Sequence, residues 1–189
     1  MDLDAYKKLK RNRMESIIET LNSIARMRGF TDILEVNEED ASKIEFTDAS
    51  NTRKLVVLFA SGEVGKPDVH PLLATLEEAQ ATEGIIVVTK KITTGAVKEV
   101  KRHPVPIHVF MHTELVFDIM THDDCPRYEV VPVEQHAAIF AAFASADKLP
   151  RLKKDDPVAR YMGLQRDAIV KVTYPSSIVV SSVFYLIVV

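Results

Sequence analysis

His108, His112, His122 and Cys125, with Asp123 and Asp124 beside them, are the residues whose types offer metal chemistry most directly. Imidazole, thiolate and carboxylate are zinc donors, and His-x3-His followed by His-x2-Cys has ligand-like local spacing. Their setting argues against a shared ion. On a strand, His108 and His112 share a face but stand about 13 Å apart, too far to hold one metal. No metal site is expected. As a nucleophile Cys125 is poorly placed: Pro126 follows it, acidic neighbours discourage a thiolate, and no glycine-rich turn supplies an oxyanion hole. Gly62 and Gly65 lack the Lys-Ser/Thr that completes a phosphate loop. No cofactor is expected.

Residues 90–102, KKITTGAVKEVKR, set five cations against one carboxylate. Thr93 or Thr94 can cap a short helix whose first amides and hydroxyl would face a phosphate, with Lys98 supplying charge. Such contacts position a duplex without reading its sequence. A solvated, capped helix accounts for the same composition. The whole chain carries 24 basic and 27 acidic residues, a formal net charge of −3, so bulk charge does not point to nucleic acid.

The elements that would carry these residues follow from periodicity. Residues 3–28 repeat apolar positions at three- and four-residue spacing up to Gly29, which predicts a helix. Residues 35–40 read as an acidic loop, and Ile44 and Phe46 alternate as a short strand. LVVLFA at 55–60 and GIIVVT at 84–89 are buried-strand runs, with turn chemistry at 61–67 and a helical stripe through Leu72, Leu73, Leu76 and Ala79 between them. A third strand is expected over 104–111 and an alanine-rich helix over 133–144. Strands alternating with helices predict a small α/β sheet covered by helices. The single cysteine fits a reducing compartment, there is no apolar signal segment at the N-terminus, and the apolar residues 178–189 are too few to span a bilayer. No membrane association is expected.

The most informative stretch is 148–177, KLPRLKKDDPVARYMGLQRDAIVKVTYPSS. Asp156-Pro157 is a helix start, Val158, Tyr161 and Met162 form its apolar face, and Gly163 ends it. Ile169, Val170 and Val172 begin a strand that Pro175 stops. Leu149-Pro-Arg, Asp156-Pro-Val-Ala-Arg-Tyr, Gly163-Leu, Val170-Lys-Val and Pro175-Ser resemble, in order and spacing, the assembly domain of the fifth common subunit of eukaryotic nuclear RNA polymerases. The C-terminal domain of that subunit stands alone as its archaeal counterpart. The opening helix closing on Arg28-Gly29-Phe30 and the segment 114–131 are similar to the same family.

The resemblance implies an α+β chain in two parts: an α/β jaw domain of restriction-endonuclease-like topology, 1–120, and a small α+β assembly domain, 121–189. It implies a non-catalytic subunit of a DNA-directed RNA polymerase that docks on the largest subunit beside other polymerase subunits, with the jaw beside downstream duplex DNA. The docking set would be Pro157, Arg160, Tyr161, Gly163, Leu164 and Pro175. In the family the loop after the second strand faces DNA with a threonine-proline-serine-alanine-lysine pattern. Here Thr93 and Ala96 correspond, while Thr94 and Lys98 are assigned on physical grounds alone. Nuclease chemistry needs carboxylates and a lysine converging on a metal. The two sheet-interior runs hold no acid, and Lys90 and Lys91 have no evident partner, so none is expected. A nuclear location is implied, nucleolar for a polymerase I subunit. Departures at Asp167, where relatives carry glycine, and after Ser176 suggest a divergent or class-specific paralogue. A scaffold or regulator outside the polymerase is the alternative.

Overall fold

The computed structural model describes residues 3–36, 43–143, 148–174 and 182–189, and divides the chain into two compact units, 1–117 and 118–189. Together they make a mixed α+β protein.

In the first unit a long helix, α1 (Leu3–Met27), leads into three antiparallel strands: β1 (Asp32–Val36), β2 (Lys43–Thr47) and β3 (Lys54–Ala60). After the two-residue strand β4 (Glu63–Val64) and helix α2 (Lys66–Glu78), β5 (Glu83–Val88) returns parallel to β3. The short β6 (Lys91–Ile92) pairs with β4, helix α3 (Thr94–Arg102) follows, and β7 (Ile107–Met111) adds parallel to β5. The sheet order is β1-β2-β3-β5-β7. Parallel strands need crossover connections, and α2 and α3 supply them.

The buried runs of β3 and β5 explain the two covered faces. Val56 and Leu58 pack with Leu76 of α2, while Ile86 and Val88 pack with Val69, Ala96 and Val100 of α2 and α3. Gly84 lies where a Cβ would come 3.0 Å from Leu76 and 3.1 Å from Ile107, so a larger residue would have to displace one of those side chains. On the other face Leu55, Val57, Ile85 and Val87 are fully buried, and Arg28, just past α1, reaches Glu83 on that side.

The β2–β3 turn is held by Asp48. Its carboxylate accepts bonds from Arg53 N (3.0 Å), the Ser50 hydroxyl (2.8 Å) and both Thr52 N (2.8 Å) and its hydroxyl (3.0 Å). Above all the Arg53 amide, then the Ser50 hydroxyl, hold its pKa down to about 2. Because the folded-state value is depressed, this contribution to stability is present above about pH 4 and is lost as pH falls towards 2. Asp48→Asn is expected to flatten that part of an acid-unfolding curve; an unchanged pH dependence between those limits would contradict the assignment.

The second unit is a four-stranded sheet of order β8-β10-β11-β9. Strand β8 (Arg127–Val130) and helix α4 (Val133–Ala142) come first, then β9 (Arg151–Leu152), helix α5 (Pro157–Met162), β10 (Ile169–Tyr174) and β11 (Ser182–Val188). One face packs on α5 through Val170, Val172 and Val188 against Ala159 and Leu164. The other packs on α4 through Ile169 against Ile139, with Val131 and Leu149. β11 is bonded along its length to β10, while on its other side β9 pairs only with Ile187 and Val188. Residues 175–181 lie outside the described residues.

Several expected boundaries shift. The stretch read as loop from Glu35 begins inside β1, because Glu35 pairs with Glu45 across the sheet. The turn at 61–67 contains β4. The third strand starts at Ile107 rather than Pro104, since prolines cannot donate to a ladder. His112 falls in a 3-10 turn (His112–Glu114), not on a strand. The alanine-rich helix ends at Ala142 with Phe143 as its cap, and Ala144 lies outside the described residues.

Asp167 adopts φ +67° in the turn between α5 and β10. A left-handed conformation costs a side-chain-bearing residue about 1 kcal/mol, less for Asp. Asp167→Gly is therefore expected to stabilise the second unit by up to about 1 kcal/mol, read as a higher denaturation midpoint.

Candidate docking and nucleic-acid surfaces

Local chemistry builds α5 at both ends. The Asp156 carboxylate accepts the Val158 amide at 2.9 Å, and Pro157 occupies the first helical position, where no amide is needed. At the other end Gly163 is left-handed, φ +66°. Its amide bonds to Arg160 O and the Leu164 amide to Ala159 O, the two contacts of a Schellman stop. A helix of six residues is held by these caps and by its packing.

That packing divides the expected docking set. Pro157 is exposed and Arg160 half-exposed, its Nε donating to Asp155 O at 3.2 Å; Gly163 is half-buried. Tyr161 and Leu164 are only 2% and 4% exposed. Leu164 belongs to the core beneath α5, and the Tyr161 hydroxyl donates to Asp118 Oδ1 at 2.7 Å. Asp118 Oδ1 also accepts the Met120 amide at 2.9 Å, so one carboxylate ties the start of the unit to the helix. Tyr161 and Leu164 therefore shape the surface from below and do not form it. Val158, expected on the apolar face, is partly exposed, and Ala159 takes the buried position. Pro175 lies outside the described residues. No sequence signal pointed to Asp118, which is 43 residues from Tyr161.

On α3, Thr93 is the cap: its hydroxyl oxygen accepts the Ala96 amide at 3.3 Å. Thr94, Gly95 and Lys98 are exposed, while Ala96 and Val100 face the core. Two acids, Glu99 within the segment and Glu63 outside it, pair with cations here. Glu99 lies 2.9 Å from Lys66 and 3.3 Å from Arg102, and the Lys66 hydrogen bond leads the effects that hold its carboxyl below the usual range. Lys91 stands 3.8 Å from Glu63. The surface can attract phosphate through Thr94, Lys90 and Lys98, with Glu63 offsetting Lys91 and Lys66 offsetting Glu99.

The described residues hold no group of three or more His, Cys, Asp or Glu able to share a metal ion. His108 is buried on β7. Cys125 is half-buried, and burial, followed by the Asp118 charge, raises its thiol pKa. Two acids near the sheet core, Glu45 and Glu83, were absent from the sequence argument because each lies outside the apolar runs. Both are in ion pairs. Glu83 binds Arg28 at 3.3 Å and also Arg53, whose guanidinium stacks 4.6 Å over the Phe30 ring. Burial works to raise the Glu45 carboxyl, but Lys43 and Lys54, the latter at 3.1 Å, outweigh it and lower its pKa.

Residues 117–188 match the family model described as RNA polymerase Rpb5, C-terminal domain. Residues 35–116 match that of NACHT-associated inactive Restriction Endonuclease 1. Among curated proteins, the chain is 27% identical over 140 residues to the Arabidopsis thaliana DNA-directed RNA polymerase V subunit 5A, covering 72% of this chain and 63% of that protein. It is 30% identical over 117 residues to the Caenorhabditis elegans DNA-directed RNA polymerases I, II, and III subunit RPABC1, covering 60% and 56%. The Arabidopsis subunit 5B of polymerases IV and V is 28% identical over 138 residues, covering 71% and 63%. The chain thus spans less than two thirds of the length of these relatives.

Proposed function

The chain is a divergent relative of the shared RNA polymerase subunits, with an Rpb5-type C-terminal domain in residues 117–188, and on that premise we propose that it is a non-catalytic subunit of a DNA-directed RNA polymerase. The observation that carries this reading is α5. Its Asp156-Pro157 start and Schellman stop at Gly163-Leu164 are intact, within a domain whose core is complete on both faces of the sheet.

The second unit docks on the largest subunit through the exposed side of α5, around Pro157 and Arg160, with Tyr161 and Leu164 holding that side in shape. The first unit lies beside downstream duplex DNA and makes at most non-specific, salt-sensitive contacts from Thr94 and Lys98. The ion-paired states of Glu45 and Glu83 fit a unit that performs no hydrolysis, as does the match to an inactive endonuclease family. Catalysis belongs to the large subunits. The protein acts in the nucleus, in the nucleolus if it serves polymerase I.

Native purification of the tagged full chain followed by mass spectrometry tests this. The two largest polymerase subunits are expected in the complex, and their peptides identify the polymerase class. Recovery without either large subunit overturns the proposal and leaves a scaffold acting outside the polymerase.

A further inference from the structure

The second unit has a cationic end that its balanced composition conceals. Lys154 N bonds to Val189 O and Val189 N to Leu152 O on one side of the end of β11. On the other side, Asp167 N bonds to Val188 O and Val188 N to Ala168 O. Residues 151–154 and 166–168 therefore straddle the same strand end. At sheet spacing their backbones stand about 10 Å apart. Arg151, Lys153, Lys154 and Arg166 are all exposed there, and among the described residues none forms an ion pair with a carboxylate. Across 151–167 cations outnumber acids five to three, the exposed Asp155 and Asp167 standing beside Lys154 and Arg166. Charges about 10 Å apart lie within roughly one Debye length at moderate salt, so their fields add.

The surroundings favour one kind of partner. A protein interface is built on an apolar core with a polar rim. The exposed aromatic pair of this sheet, Tyr174 and Phe184, sits towards the other end of β10 and β11, roughly 14–20 Å away at strand rise. Phosphates need only positive charge within reach. We propose that the end of the second unit formed by Arg151, Lys153, Lys154 and Arg166 binds the phosphate backbone of a nucleic-acid duplex without reading its sequence. This site is separate from the α3 surface and does not depend on the chain being a polymerase subunit.

The test is fluorescence anisotropy of the full chain with a labelled duplex of about 20 base pairs, between about 50 and about 200 mM salt. Each phosphate contact contributes about 0.9 to the slope of log affinity against log salt, so R151E/K153E/K154E/R166E should lower that slope by up to about 3.6 and weaken low-salt binding at least about tenfold. All four side chains are exposed, so an unchanged melting curve is the expected folding control. A second variant, K90E/K98E, isolates the α3 surface. The proposal is overturned if the fourfold variant binds with the wild-type slope, or if K90E/K98E alone abolishes binding. It is equally overturned if the wild-type chain captures poly-glutamate but no duplex, which would identify an acidic protein segment as the partner.

Discussion

Leu164→Ala is expected to destabilise the second unit by about 2–5 kcal/mol, the range for emptying a well-packed leucine site. Leu164 is 4% exposed and packs among Ala159, Val170, Val172 and Val188, the layer that seats α5 on the sheet. A unit of this size holds only about 4–11 kcal/mol of total stability, so the substitution consumes a large share of it. Urea denaturation followed by circular dichroism measures the loss. A cost below about 1 kcal/mol would mean that α5 is not seated as described. The variant should also lose polymerase association, for a different reason from a surface change. Arg160→Ala should weaken association while leaving the denaturation midpoint nearly in place, because exposed substitutions typically move stability by about 0.5 kcal/mol or less. Wild-type stability and undiminished association in both variants would remove α5 from the docking account.

In the first unit the largest single effect is expected at Glu83. The Arg28 side chain is 1% exposed, and Glu83 is its carboxylate partner at 3.3 Å. Glu83→Ala leaves a buried guanidinium without that partner, which typically costs about 3–5 kcal/mol. The second ion pair of Glu83, with the half-exposed Arg53, contributes about 1 kcal/mol or less of that. Thermal unfolding measures the total. The control is Arg28→Met combined with Glu83→Met: apolar replacement of both partners restores stability where the single change removes it, because no charge is left buried. If the double variant is as unstable as Glu83→Ala, packing around the pair, and not the lost ion pair, is the cause.

Much of the fold was legible in the chain because its signals are local. Asp156-Pro157 and Gly163 act through amides within four residues, so the start and stop of α5 are written where they occur. LVVLFA and GIIVVT announce buried strands by composition, and the positive φ at Asp167 fits the tolerance of aspartate for turns. The docking site was only half legible. Sequence located α5, but which of its residues face outward depends on the sheet beneath it. Tyr161 and Leu164 turn inward because β10 and β11 pair there, and Tyr161 finds Asp118 across 43 residues.

The same limit applies to charge. Counting along 90–102 gives a strongly basic segment, yet Glu63 and Lys66 reach it from other elements, the first offsetting Lys91 and the second offsetting Glu99. The four cations around the end of β11 come from two segments more than ten residues apart, and only their shared bonds to Val188 and Val189 bring them together. Helix and strand identity, caps and turns were determined by the sequence itself, since propensity and capping operate within a turn or two of backbone. Which carboxylates neutralise which cations and which apolar residues are core were decided by strand pairing. Those contacts join residues that have no relation along the chain until the sheet forms.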